Sequence, residues 1–420
     1  MSNLRYLCTS MEYNVHTLPN GIRLLHVPSA STISHACIII NTGSRDEPEG
    51  KAGLAHFIEH LIFKRTEKRS TNQILNRLES VGADLNAYTT KEYTCVHASF
   101  LNPYLDRTLD LFNDIIFHST FPEEEMDKEK SVILDEIASY LDQPEEAIND
   151  DFEDMLFAGN ALGNNILGTT ESVSHFTRED VINFRRANYR TNEIVVAVLG
   201  NYSLNGFVKK GSKYFADVEE NAPSLHRTRP AVLNPTNTTI YKPIMQSHCI
   251  LGKQTYSTYD EQKAGLMLLN NYFGGNGMSS VLNLQIREKF GIAYTIESNF
   301  SPLSDTGIFS VYFGTDKEKH TRALSLIFKE MKRLVDNPLN ELQLQKAKNK
   351  FIGQIALSEE NRIGLIISMA KSLIDHNKID SLEQVFEKIN KVTTKEIAEI
   401  ADEVLNPEEL NVFTFSPILE

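Results

Sequence analysis

Leu54-Ala55-His56-Phe57-Ile58-Glu59-His60-Leu61-Ile62-Phe63 is the stretch on which the reading of this chain turns. Its apolar residues recur with a helical period, and at 3.6 residues per turn positions four apart stack on one face. His56 and His60 can therefore offer two imidazoles to one metal ion, and Glu59, three residues after His56, shares that face. Two neutral nitrogen ligands, an open position for water and a carboxylate to take the water's proton are the parts of a metal-assisted hydrolase. The plain alternative is a pair of surface histidines beside a glutamate. The surroundings weigh against it, because three ionisable groups in so apolar a helix need partners.

A third protein ligand would leave one position for water. The acidic run Glu129-Lys130-Ser131-Val132-Ile133-Leu134-Asp135-Glu136-Ile137 offers two candidates. Glu129 and Glu136 stand seven residues apart, on a face with Val132 and Ile133, and periodicity does not choose between them. Pro122 starts the helix that carries them, with Glu123, Glu124 and Glu125 in a first turn whose dipole favours carboxylates.

Around this centre the spacing predicts strands over 22–27, 35–40, 85–90, 94–100 and 195–200, with a helix over 70–81. Texture changes between Ala216 and Pro243, where the chain is polar, carries Pro223, Pro230, Pro235 and Pro243, and loses helical periodicity. This predicts an interdomain linker over 216–236 between a domain at 1–215 and another at 237–420. The second half repeats the theme: strands near 248–252, 293–300, 307–314 and 410–415, and helices near 261–272, 279–289, 319–335 and 341–355. A duplicated α+β domain is the expectation.

Composition narrows the function. The 420 residues carry 56 acidic and 42 basic side chains, a formal net charge of −14. That argues against a nucleic-acid binder, whose affinity rests on basic patches, and against docking on anionic lipid. No apolar run approaches a membrane span. Met1-Ser2-Asn3-Leu4-Arg5-Tyr6 lacks the pattern of a signal peptide. Cys8, Cys37, Cys95 and Cys249 are scattered without a Cys-x-x-Cys, so neither a disulfide framework nor a thiolate zinc site is expected. The reading is a cytoplasmic protein, with neither nucleic acid nor membrane as partner.

The ordered motifs resemble the pitrilysin family of zinc peptidases, the inverzincins, in its mitochondrial-processing-peptidase-like branch; insulin-degrading enzyme is a relative with a chain of double length. The resemblance runs through Leu18-Pro19-Asn20-Gly21, Gly43-Ser44-Arg45-Asp46-Glu47, Gly53 to Lys64, Gly82-Ala83-Asp84-Leu85-Asn86-Ala87, Val132 to Ile137 and Ile166-Leu167-Gly168-Thr169. It continues through Gly274-Gly275-Asn276-Gly277-Met278-Ser279-Ser280 and Ile286 to Tyr294. It implies one zinc ion per chain on His56, His60 and Glu136, the last 76 residues after His60. Glu129 is then expected to hydrogen-bond a ligand histidine, and Glu59 to be the general base toward zinc-bound water. Arg287 and Tyr294 match the family's substrate-binding pair, suited to a developing oxyanion. Asn86, Ala87, Tyr88 and Thr89 match an edge strand to which a peptide adds by backbone pairing. Val281 and Asn283 depart from the pattern, where relatives often carry arginine and an aromatic residue.

The architecture implied is α+β, with two similar domains, each a mostly antiparallel mixed sheet with helices packed on one face, together forming half of a clamshell. The activity implied is a zinc metalloendopeptidase cleaving unfolded peptides or short polypeptides inside a dimeric chamber. Because this chain carries both the zinc set and the arginine-tyrosine pair, a homodimer is preferred to a heterodimer. The rival reading is a non-catalytic or partner-dependent scaffold subunit of a processing-peptidase-like complex.

Overall fold

The computed structural model describes residues 12–418; Cys8 and the stretch Met1–Tyr6 lie outside the described residues. The first sheet has six strands: β1 (Asn14–Thr17), β2 (Arg23–Pro28), β3 (Ile33–Ile40), β4 (Asp84–Thr89), β5 (Thr94–Leu101) and β6 (Ile194–Gly200). Their order is β1-β2-β6-β3-β5-β4, antiparallel throughout except for the parallel pair β2–β6. The second sheet has β7 (Asn237–Lys242), β8 (Ser247–Thr255), β9 (Ala293–Pro302), β10 (Gly307–Thr315) and β11 (Asn411–Pro417), in the order β7-β11-β8-β10-β9. Here too only the first pair, β7–β11, is parallel. Matched strand for strand, β2-β6-β3-β5-β4 and β7-β11-β8-β10-β9 share chain order, spatial order and direction, so the two halves are one topology used twice. β7 falls in the polar stretch 216–243, where its threonines and exposed alternation hid it as a strand.

Helices cover one face of the first sheet: α1 (Leu54–Leu61), α2 (Thr71–Glu79) and α3 (Leu105–Phe117) bury Leu54, Phe57, Ile58, Leu61, Ile74, Leu78 and Phe112 against Leu24, Ile38, Ile40, Val96 and Val198. The opposite face takes a single helix, Arg362–His376, whose Ile366, Met369, Ala370 and Leu373 pack on Leu25, Val27, Cys37, Ile39, Val195 and Ala197. Burial on both faces is why β3 and β6 read as unbroken apolar runs and not as alternating ones. The second sheet repeats the arrangement. Its far face is covered by α5 (Pro144–Leu156), with Ala147, Ile148, Phe152 and Leu156 on Ile250, Ile308, Tyr312, Phe413 and Phe415.

The compact units are consequently not contiguous in sequence. One comprises 1–138, 164–227 and 358–382; the other comprises 139–163, 228–357 and 383–420. The expected division at 1–215 and 237–420 follows the order of the sheets along the chain, and the packing departs from it by two reciprocally exchanged segments. Each sheet's far-face helix is donated by the other half. The expected linker also divides, its residues to Arg227 belonging to the first unit. Among the described residues no helix is long and apolar enough to cross a membrane.

Candidate metal centre

α1 is short and its axis is fixed from outside. Gly53 serves as N-cap with φ +91°, and a Cβ there would stand 2.6 Å from the Leu167 carbonyl oxygen. Gly168, φ +80°, makes the reciprocal approach, its Cβ position 2.3 Å from the Ala52 oxygen. Only glycine fits this crossing of two backbones. With Leu54, Phe57, Ile58 and Leu61 locked into the core, the remaining face presents His56, Glu59 and His60. The two imidazoles lie 4.7 Å apart, ring centre to ring centre, at 74°.

The opposing ligand comes from α4 (Glu123–Leu141), which packs through Met126, Glu129 and Ile133. Val132, expected beside Glu129 on the packed side, is 48 % exposed, because that contact stripe is narrow. Entry to α4 is constrained at Phe121, a buried non-glycine residue at φ 50° whose carbonyl accepts the Arg178 Nε proton at 3.0 Å. The helix brings Glu136 Oε2 to 3.8 Å from His56 Nε2 and 3.7 Å from His60 Nε2. Donor atoms of the three residues lie within 4.8 Å of one another.

This donor set fits zinc. Tetrahedral ligands at about 2.0–2.1 Å from the ion stand roughly 3.3–3.4 Å apart, a few tenths closer than Glu136 stands to either imidazole. Burial, then the neighbouring His60, holds the His56 imidazole down to about 4, so it is neutral at physiological pH, as a ligand must be. His60 Nδ1 lies 3.1 Å from Glu129 Oε2. An ionised carboxylate only accepts, so Nδ1 carries the proton and Nε2 turns its lone pair toward Glu136. Glu129 is buried, and its other oxygen receives Lys64 Nζ at 2.6 Å. Glu59 accepts the Thr89 hydroxyl proton through Oε2 at 2.6 Å. Burial raises the Glu59 carboxyl above its usual range, with the Thr89 hydrogen bond opposing.

Among the described residues β4 is an edge strand, and the outer backbone groups of Asn86 to Thr89 meet no sheet neighbour there. Its side chains divide by face. Thr89 turns to Glu59, whereas Tyr88 packs with Tyr93 and His97, against the core beneath Arg362–His376. Asn86 donates to Asp84 at 2.9 Å. Arg287 and Tyr294 belong to the other compact unit. Arg287 is exposed on a π-helical turn, Asn283–Glu288, and Tyr294, on the edge strand β9, donates to Asp316 at 2.9 Å. Val281 and Asn283 are buried in the same segment.

Several contributors were not singled out by sequence reasoning. Lys64 stands one turn after His60, a spacing that signals a shared face. Thr89 was read for substrate pairing and not for its grip on Glu59. Glu47 belongs to a quoted motif but had no role, and Arg227 lay in the supposed linker; neither has a local pattern that reveals its partner.

Two family models match the chain: insulinase (peptidase family M16) over residues 24–170, and the peptidase M16 inactive domain over 175–351. A relative named an uncharacterized zinc protease in Bacillus subtilis (strain 168) is 30% identical over 387 residues, covering 92% of this chain and 94% of its own. One in Streptomyces coelicolor is 32% identical over 399 residues, covering 93% and 86%. Among solved structures, a protease from Helicobacter pylori superposes with a TM-score of 0.88 at 19% identity over 97% of this chain and 100% of its own. A peptidase M16 inactive domain from Pseudomonas fluorescens gives 0.89 at 19% identity, over 97% and 99%. The two structures share the fold; the sequence relatives, alike over nearly their whole length, carry the lineage. The chain belongs to the M16 (insulinase) family of peptidases.

Proposed function

We propose that this protein is a zinc-dependent endopeptidase that cleaves unfolded peptides or short polypeptides, with one zinc ion per chain held by His56, His60 and Glu136. The observation that carries the reading is the convergence of these three donors within 4.8 Å, beside Glu59. Bound there, zinc supplies a Lewis acid that polarises the scissile carbonyl and acidifies water. Glu59 takes the proton of the attacking water and passes it to the leaving amine. Thr89 orients the Glu59 carboxylate for that exchange through Oε2. A peptide pairs with the open edge of β4 along Asn86, Ala87, Tyr88 and Thr89, which grips backbone and demands little of sequence. Glu129 holds the His60 tautomer.

In this reading Arg287 and Tyr294 meet the carbonyl from a second chain, so the working unit is a homodimer enclosing a chamber. Tyr294 exchanges its Asp316 acceptor for the substrate oxygen. Three cysteines buried as free thiols, Cys37, Cys95 and Cys249, suit a cytoplasmic setting.

The test is Glu59→Gln. It should retain zinc while turnover of a quenched peptide falls by about 10²–10⁴-fold, the usual share of a general base; full activity overturns the assignment. Mixing Glu59→Gln chains with Arg287→Ala chains should recover activity that neither has alone. No recovery overturns the shared homodimeric site.

A further inference from the structure

α1 has no cap of its own. Gly53 at its N-cap has no side chain to offer the orphan N–H groups of the first turn. Glu47 reaches in from the preceding loop instead. Its Oε2 accepts the Gly53 N–H at 3.0 Å and its Oε1 accepts the Ala55 N–H at 2.8 Å, and the side chain is buried.

The loop that delivers Glu47 is itself fastened. The Ser44 and Arg45 amides donate to the Thr90 and Lys91 carbonyls at 3.0 and 2.8 Å. Gly43 lies so close to this turn that a Cβ would fall 2.2 Å from the Thr90 oxygen. Arg45 pairs with Glu92 at 2.6 Å. Arg227 grips Asp46 with both arms of its fork, Nε to Oδ1 at 2.9 Å and Nη2 to Oδ2 at 2.8 Å, and donates to the Glu92 carbonyl at 2.8 Å. The side chains of Asp46 and Arg227 are shielded from water, where a bidentate pair is geometrically specific. The same turn, residues 90–92, follows directly on Thr89, which holds Glu59. One fastened block thus grips α1 at two levels, the first turn through Glu47 and the base through Thr89.

We propose that Glu47 is a positioning residue for the metal helix: clamped by the Arg227–Asp46 pair, its carboxyl sets the axial rotation with which His56 and His60 meet Glu136. The inference rests on the zinc reading above. Glu47→Gln removes one of the two acceptors, because its amide nitrogen must face an N–H group. Arg227→Lys keeps the charge but loses the fork.

The test measures zinc affinity by chelator competition and the visible bands of the cobalt-substituted protein, on full-length chains. Glu47→Gln should weaken zinc binding about 10- to 100-fold, the range found when supports of metal ligands are lost, and should shift the cobalt bands. Arg227→Lys should move both readouts the same way by less, and decides the matter alone if Glu47→Gln does not fold. Asn113→Ala, which removes a side-chain bond to the Tyr214 carbonyl, should lower the urea midpoint while leaving zinc affinity within about twofold. Wild-type zinc affinity and cobalt bands in both test variants overturn the inference. So does an equal zinc loss in Asn113→Ala, since general destabilisation would then explain it. A wild-type chain that takes up no zinc overturns the zinc reading itself.

Discussion

Glu129 and Glu136 lie on one helix, seven residues apart, and the structure gives them opposite duties. Glu136 is 43 % exposed at the side chain and faces both Nε2 atoms, whereas Glu129 is 6 % exposed and faces His60 Nδ1 and Lys64. A seven-residue spacing returns nearly to the same helical azimuth, so periodicity left both open. Two turns apart along α4, they meet different atoms of α1 and its flank, and no local pattern records those partners. His56, Glu59 and His60 were legible because their spacing is internal to one helix. Glu129→Gln keeps an acceptor for His60 only by turning its amide nitrogen on Lys64, two donors facing each other. Zinc affinity should fall about 10- to 100-fold, read by chelator competition, and unchanged affinity would mean that the His60 tautomer is held by something other than Glu129.

At the level of elements, the strands were read best where apolar runs were longest. The helices Pro144–Leu156 and Arg362–His376 carry apolar residues at helical spacing, yet nothing local says that each covers the sheet of the other half. That pairing depends on the far faces of β3, β6, β8 and β11 being apolar, a property of the assembled sheets. Ile366 is fully buried on the first sheet beside Cys37 and Ile39. Ile366→Ala should therefore cost roughly 2–5 kcal/mol by transfer and cavity terms, measured as a lower urea midpoint. A loss below about half a kcal/mol, the scale of surface substitutions, would mean the helix is not integral to that unit. The segment read as a helix over 279–289 contains a π-turn at Asn283–Glu288. The extra residue per turn re-aims Arg287, which a 3.6-residue count cannot foresee.

For the whole molecule, pH acts through histidines that the fold shields from water. Burial lowers His248 and His320 below the ordinary histidine value of 6.5. As pH falls below about 6.5 the unfolded chain takes up protons that these folded sites refuse, so their stabilisation is present above that pH and lost beneath it. A difference measurement isolates the histidine. The urea midpoint of wild type minus that of His248→Gln should shrink between pH 7.5 and pH 5, and a gap that widens contradicts the assignment. The −14 net charge could not locate the site, since charge counts carry no position. By itself the sequence determined the helix face that carries His56, Glu59 and His60 and most of the strand runs, because each is written in residues near one another along one element. Only the tertiary structure decided which glutamate faces the two Nε2 atoms, which half supplies each far-face helix, and that Arg227 holds Asp46. Those follow from contacts between residues tens to hundreds of positions apart, which packing selects and local periodicity does not encode.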